Sequence, residues 1–275
     1  MQIPQLKDAL PRFIQWKESE PSVYAPQRHR AILEQVISFG HASVQVLAES
    51  LDVTPETIRR DLTELHQQGL LRRVHGGAMP LTRLGFEPSV VSRSKLMLEE
   101  KERIATAALD EIPEEGAIIV DAGTTTSRLI TLIPDNYKLT IVTNSVLHAG
   151  LLAEKKNVTV IMLGGRVRGN TMACVDQTAL DGLDGLFADV VLVGTNGISA
   201  ERGLTTPDQA EAKVKNAMLQ SARRKVVLVD HTKFGQDHFA SFGNVSDIDV
   251  VITDSEISDK NAKDIEDLGP MVIRA

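Results

Sequence analysis

Between Ser43 and Ala78 the chain reads SVQVLAESLDVTPETIRRDLTELHQQGLLRRVHGGA, and few local folds satisfy that pattern. Val44, Leu47, Ala48 and Leu51 recur at i, i+3, i+4 and i+7, which is one apolar face of a short helix. Ser43 stands where its hydroxyl can cap that helix. Asp52-Val53 supplies a turn, and Thr54 caps a second helix with Pro55 at its first position and Glu56 favouring the helix dipole. Ile58, Leu62 and Leu65 form the buried stripe of the second helix, so Thr57, Arg59, Arg60 and Thr63 face outward. Gly69 is placed to end it. Leu70 to Val74 reads as a strand, and Gly76-Gly77 as the turn of a β-wing.

Two helices across a tight turn, with threonines and arginines outward, have the geometry that enters a DNA major groove. Arginine pairs bidentately with guanine, and threonine meets a base edge or a thymine methyl. On the wing, Arg72, Arg73 and His75 are placed for phosphates or a minor groove. Ser43, Thr54 and Glu56 at the helix starts complete the candidate DNA-binding set. The bland alternative is a helical hairpin with a solvated basic face. The caps, the apolar spacing, the doubled arginine and the glycine-closed wing agree with one another and favour the DNA reader. An amphipathic helix from Gln27 to Phe39, ended by Gly40, supplies the third helix of a winged helix-turn-helix. Arg28 and Arg30 at its start read as solvated charges with access to phosphate.

The stretch LAESLDVTPETIRRDLTELHQQGLLRRVHGGA resembles the signature of the DeoR family of bacterial regulators of sugar metabolism. Chains of that family generally begin near a segment like VYAPQRHRAILEQV. Residues 1–22 are therefore expected to be a disordered extension or an untranslated stretch ahead of a start at Val23. A short helix over Leu6–Trp16 is the alternative. Residues 23–79 then form the DNA-binding domain, 80–93 a linker (PLTRLGFEP with its two prolines at the core of it), and 94–275 a second domain.

The net charge of −7 excludes DNA binding only if it is spread evenly, and it is not. Residues 27–80 hold six Lys/Arg against six Asp/Glu, whereas residues 81–275 hold 21 against 28. The C-terminal body repels DNA, and the local arginine clusters of the N-terminal module attract it. Cys174 is the only cysteine, so neither a disulfide framework within the chain nor a cysteine-based zinc site can form. No apolar run approaches the roughly 20 residues that span a membrane, and residues 1–20 lack a signal peptide's apolar stretch. The expectation is a cytoplasmic protein with no membrane partner, no cofactor and no metal.

Beyond the linker a helix is expected over Ser94–Asp110, with Leu98, Ile104, Ala105, Ala108 and Leu109 in the core and Glu99, Glu100, Lys101 and Glu102 solvated. Short branched runs follow at Ala117–Val120, Leu139–Val142, Val158–Leu163, Val190–Val193, Val226–Val229 and Val250–Thr253. Continuous Val/Ile runs suit strands covered on both faces. Helical patterns fall at Ser127–Leu132, Val146–Glu154, Gln177–Leu186, Asp208–Ala222 and Asp259–Asp267. The fold class is α/β: a winged helix-turn-helix joined to a Rossmann-like domain with a mostly parallel sheet.

In such a sheet, ligands bind where strand C-termini meet helix N-termini, and small polar clusters stand at those junctions here. Asp121-Ala122-Gly123-Thr124-Thr125-Thr126 offers backbone N–H groups and hydroxyls for a phosphate. Thr143-Asn144-Ser145 can bond sugar hydroxyls or cap a helix. Gly164-Gly165-Arg166 brings close backbone approach and positive charge, as does Arg168. Gly194 to Gly197, then Gly203 to Thr206 leading to Glu211, Lys213 and Lys215, and Asp230 to Gly235 complete the set. Each cluster alone serves as a βα turn; six together read as one polar pocket. DAGTTT, TIVTNS, LGG, GTNGI, GLTT, EAKVK and VDHTKFG also resemble the motifs of the DeoR sensor domain, which is similar to ribose-5-phosphate isomerase. The resemblance implies phosphosugar sensing, release from DNA and oligomerisation. Carried onto this chain, it implies that Asp121, Gly123, Thr124, Thr125, Asn144, Gly165, Gly197, Lys213 and Lys233 line the pocket. Thr126 and Arg166 join them as effector-binding candidates.

The expected function is a transcriptional regulator, a repressor of a fructose-type phosphotransferase or catabolic operon. Its partners would be double-stranded operator DNA, fructose 1-phosphate or fructose 6-phosphate, and further copies of itself in a dimer or tetramer. The rival is an active sugar-phosphate isomerase with an accessory DNA module. Isomerisation needs a positioned carboxylate. The related enzymes carry acidic residues in a loop where this chain reads Thr195-Asn196-Gly197-Ile198-Ser199-Ala200, leaving Asp121 and Asp230 as candidate bases. A third reading, in which the second domain only oligomerises, stays open at this level. No catalytic residue is expected.

Overall fold

A computed structural model describes residues 25–39, 41–68, 70–74, 76–80, 87, 89–94 and 97–275. The chain divides into two units, Met1–Leu81 and Thr82–Ala275. The expectations for residues 1–22, Gly40, Gly69, His75 and residues 81–86 and 88 of the linker lie outside the described residues.

In the first unit α1 (Ala25–Phe39), α2 (Val44–Ser50) and α3 (Pro55–Gln67) pack with a small sheet of β1 (Ala42–Ser43), β2 (Leu71–Val74) and β3 (Gly77–Pro80). Ser43 Oγ accepts the Val46 N–H at 3.2 Å, and Thr54 Oγ1 accepts the Thr57 N–H at 3.2 Å. Each cap satisfies a donor that its helix cannot. Ile32, Val36, Leu47, Ile58, Leu62, Leu65 and Leu71 form the core. The two wing glycines divide their work differently from the expected Gly-Gly turn. Gly76 takes the left-handed conformation of the turn (φ +79°), while Gly77 opens β3 and pairs with both β2 and β1. A Cβ on Gly77 would collide with the Ala42 carbonyl. Pro80, expected in the linker, is the last residue of β3.

The expectation that Arg28 is a solvated charge is corrected. Its guanidinium bonds Asp61 of α3 at 2.6 and 3.0 Å, and His29 Nε2 lies 3.0 Å from the same carboxylate. Burial works to raise the Asp61 carboxyl, but the hydrogen bonds from Arg28 and His29 outweigh it and hold the group below its ordinary value.

The second unit is built on seven parallel strands in the order β15-β14-β12-β9-β4-β5-β6. They are β4 (Glu115–Val120), β5 (Lys138–Thr143), β6 (Val158–Met162), β9 (Ala188–Gly194), β12 (Ala222–Leu228), β14 (Val250–Thr253) and β15 (Met271–Arg274). The six expected runs are all strands; β15 is the addition. Successive residues feed opposite cores: Val190, Leu192, Val226 and Leu228 face one, and Val191, Val193 and Val227 the other. That two-sided burial is why the runs are continuous rather than alternating.

Helix α5 (Leu98–Ala108) begins four residues later than expected, behind a short α4 (Val90–Arg93) and a left-handed Met97. Leu98, its first residue, is exposed and Lys101 is buried; both reverse the expectation. The remaining helices are α6 (Thr124–Leu132), α7 (Val146–Leu152), α8 (Gln177–Asp181), α9 (Gln209–Gln220) and α10 (Asp259–Glu266). Chain direction across the sheet reverses beside β4, whose two neighbours are β5 and β9. The crevice at their C-terminal ends is where a doubly wound sheet accepts a ligand. Two small antiparallel sheets lie beyond it: β7 (Arg166–Arg168) with β8 (Ala173–Val175), and β10 (Gly197–Ser199), β11 (Gly203–Thr206) and β13 (Ala240–Gly243).

Candidate functional site

The reading face of the first unit is α3. Arg59 and Arg60 are exposed, and Thr57 and Thr63 half-buried. Arg59 Nη1 donates to Glu56 Oε2 at 2.8 Å one turn back, an exposed pair that DNA phosphate or guanine can displace at little cost. Thr54 and Thr57 share a hydroxyl contact at 2.9 Å. Arg73 Nη1 donates to Thr63 Oγ1 at 2.7 Å, and Thr63 donates to the Arg59 carbonyl at 2.7 Å. The wing thus leans on the helix through Arg73, while Arg72 reaches Met79 Sδ at 3.7 Å. Ser43 and Thr54 spend their hydroxyls on caps.

In the second unit Asp121 follows β4 with no exposed surface. Its Oδ2 accepts the Lys215 ammonium and the Gly194 N–H at 3.3 Å, and its Oδ1 has no partner among the described residues. Asn144 follows β5, equally buried; its Oδ1 accepts the Ala122 N–H at 2.8 Å, and its Nδ2 likewise has no partner among the described residues. An acceptor and a donor left bare at adjacent strand ends are unusual in a folded interior. Above them α6 begins at Gly123 without a side-chain cap, so its first N–H groups are open to an anion. Thr124 is half-exposed there and Thr125 nearly buried. Thr126 donates to the Asp121 and Gly123 carbonyls at 2.7 and 3.1 Å and so braces the turn.

Positive charge reaches this end from the expected Lys233 and from Lys101, which sequence reasoning placed in solvent. Lys101 Nζ donates to the Arg93 carbonyl at 2.6 Å. Burial lowers its pKa to about 8, against the pull of Asp230, with Lys233, Arg93 and Arg128 adding repulsion. Burial would raise the Asp230 carboxyl, but Lys233, the Thr232 hydroxyl and Lys101 hold it below its ordinary value. Lys233 is half-buried beside this pair.

Other expected pocket residues stand elsewhere. Lys213 is exposed, on an open depression with Asp176, Gln177, Leu180, Gln209 and Ala210. The inward lysine is Lys215. Spacing was the available signal: Glu211, Lys215 and Met218 share the buried face of α9, and position 213 lies off it. Arg166 is paired with Asp176 at 2.8 Å in solvent, whereas Arg168 turns inward to Glu87 at 2.9 Å, Asp208 at 3.3 Å and Glu211. Gly165 and Gly197 do permit close approach, but of the Val175 and Gln236 carbonyls. Burial raises the Glu211 carboxyl, with Glu87 and Asp121 adding to it against Lys215 and Arg168. His148, buried at the start of α7, lies 2.8 Å from Ser127 Oγ.

Comparison with known proteins matches both units to family models. Residues 28–83 match the DeoR-like helix-turn-helix domain, and residues 97–255 the DeoR C terminal sensor domain. The chain is 36% identical to an uncharacterized HTH-type transcriptional regulator, FruR, of Bacillus subtilis, over 84% of this chain and 92% of that protein. It is 34% identical to the glycerol-3-phosphate regulon repressor of Escherichia coli, over 83% of this chain and 90% of that protein. Among solved structures, ribose 5 phosphate isomerase A from Neisseria gonorrhoeae is 16% identical, covering 49% of this chain and 52% of its own with a TM-score of 0.37. The sequence relatives are named as regulators and repressors, not enzymes, which overrides the isomerase reading. With a capped reading helix, a wing and a parallel-sheet sensor unit matching in order along it, this chain belongs to the DeoR family of helix-turn-helix transcriptional regulators.

Proposed function

We propose that the protein is a repressor of a sugar uptake or catabolism operon of the fructose type, released from operator DNA by a phosphorylated sugar. The observation that carries this reading is the bare Asp121 Oδ1 and Asn144 Nδ2 beneath the uncapped start of α6. A polyol bonds the first two, and its phosphate takes the helix N–H groups with Lys101 and Lys233 nearby. Asp121, Gly123, Thr124, Thr125, Asn144, Lys215 and Lys233 are the proposed pocket. Arg59, Arg60, Thr57, Thr63, Arg72 and Arg73 are the proposed DNA contacts.

Release follows by linkage: the sugar phosphate must bind the DNA-incompetent arrangement more tightly than the competent one. The acting form is a cytoplasmic homo-oligomer, dimer or tetramer, placing two readers on half-sites roughly one helical turn apart. Among the described residues no helix is long and apolar enough to cross a membrane. Fructose 1-phosphate and fructose 6-phosphate are the first candidates; the likeness to the glycerol-3-phosphate regulon repressor of Escherichia coli adds glycerol 3-phosphate. The test is a panel of these compounds against the full-length protein bound to DNA from upstream of its own gene. Release by one of them at micromolar to millimolar concentration is expected. No change in DNA affinity or thermal stability with any phosphorylated sugar or polyol would sink the reading.

A further inference from the structure

Glu87 is the first described residue beyond the stretch that joins the two units, and its carboxylate is buried rather than solvated. Arg168 Nη2 lies 2.9 Å from its Oε2, Asn196 Nδ2 donates to its Oε1 at 3.2 Å, and Arg93 Nη2 stands 3.8 Å away. Asn170 fastens the same segment through its backbone: its Nδ2 donates to the Glu87 carbonyl at 3.4 Å, and its carbonyl accepts the Val90 N–H at 2.6 Å. A segment that only tethers two domains has no need of a buried ion, which is costly unless paired.

The arginine that holds Glu87 also holds two other acids. Its Nε is 3.3 Å from Asp208, the cap of α9, and its Nη1 bonds Glu211. Glu211 lies one turn before Lys215 on the buried face of α9, and Lys215 closes on Asp121. Charges therefore alternate in sign from the pocket floor to the root of the linker: Asp121, Lys215, Glu211, Arg168, Glu87. One guanidinium serves three carboxylates, so its bonds are shared and can be redistributed. A ligand hydroxyl or phosphate that draws on Asp121 or Lys215 changes how far Lys215 compensates Glu211. Arg168 then shifts between Glu211 and Glu87.

We infer that Arg168 and Glu87 are a positioning pair that passes occupancy of the strand-end pocket to the segment leading to the DNA reader. The inference rests on the phosphosugar-sensing reading of that pocket. Neither residue touches the ligand; they set whether binding is felt at the linker.

The experiment compares full-length wild type, Glu87→Gln and Arg168→Lys. Ligand-free hydrogen exchange at residues 89–94 comes first. Both variants should exchange these amides faster than wild type; unchanged exchange means that the pair does not hold the segment, and overturns the inference while leaving phosphosugar sensing intact. Next, fructose 1-phosphate, fructose 6-phosphate and glycerol 3-phosphate are titrated by calorimetry and against the operator complex. Glu87→Gln should keep ligand affinity and ligand-free DNA affinity, and need about tenfold more ligand for release, a size usual for coupling between sites. Release at the wild-type concentration, or loss of ligand binding itself, overturns the inference. If wild type binds none of the three compounds, the sensing reading fails and the inference fails with it.

Discussion

His148 has no exposed surface, and burial lowers its pKa to about 4 despite a backbone contact with Gly123. An unfolded histidine takes up a proton near pH 6.5, so between that value and about 4 only the unfolded chain binds it. Stability must therefore fall as the solution is acidified across this window and level off below it, by about 1.4 kcal/mol per pH unit from this group. Thermal melts of wild type and His148→Gln between pH 7.5 and 4.5 check the sign: the variant's stability should fall less steeply on acidification below about pH 6.5, and parallel curves would refute the assignment. A second expectation concerns Asp121 and Lys215. Asp121→Asn leaves a buried ammonium without its carboxylate, a loss of about 3–5 kcal/mol in typical buried pairs. The melting temperature should drop sharply, and recover in part in Asp121→Asn combined with Lys215→Met.

At the scale of the element, α3 is the part of this molecule most legible in its sequence, because caps, proline and apolar spacing are all local signals. Its outward residues Arg59 and Arg60 are free to leave solvent for DNA. Arg59→Ala should weaken operator binding by about 1–3 kcal/mol if the guanidinium reads a base edge, with sugar-phosphate affinity unchanged; a gel-shift titration beside calorimetry separates the two. What stayed hidden is non-local. Nothing near Arg28 points to Asp61, which lies 33 positions away, and Arg168 looked like Arg166, two positions before it on β7, until the fold brought Glu87, Asp208 and Glu211 to the one and left the other paired with Asp176 in solvent. Lys215 was open to deduction from the stripe of α9, since a helix period places it with Met218. β15 was missed because Met271–Arg274 is a short edge strand with two half-buried positions, a pattern too weak to stand apart from a loop. The start of α5 differs because Met97 takes a left-handed conformation immediately before it, a backbone feature that apolar spacing does not register.

For the whole molecule the governing quantity is where charge lies. The excess of Asp/Glu falls beyond residue 80, so attraction to DNA rests on a few arginines and not on a broad positive field. Binding should then depend on counted phosphate contacts, each releasing condensed counterions, and log K should fall linearly with log salt at about 0.9 per contact. Arg72 is the informative position. It stands exposed on β2 and, among the described residues, meets the Met79 sulfur alone, so its removal disturbs neither α3 nor the core. Arg73 also props Thr63 and would confuse contact with structure. Arg72→Ala should lower affinity for operator and unrelated duplex by a similar factor and reduce the salt slope by about one per bound module, as loss of a phosphate contact does. Two bound modules would double that reduction, so the same titration reports how many readers engage one operator. An unchanged slope would place Arg72 off the DNA and leave the wing to contribute through Arg73 and the packing of α3 alone.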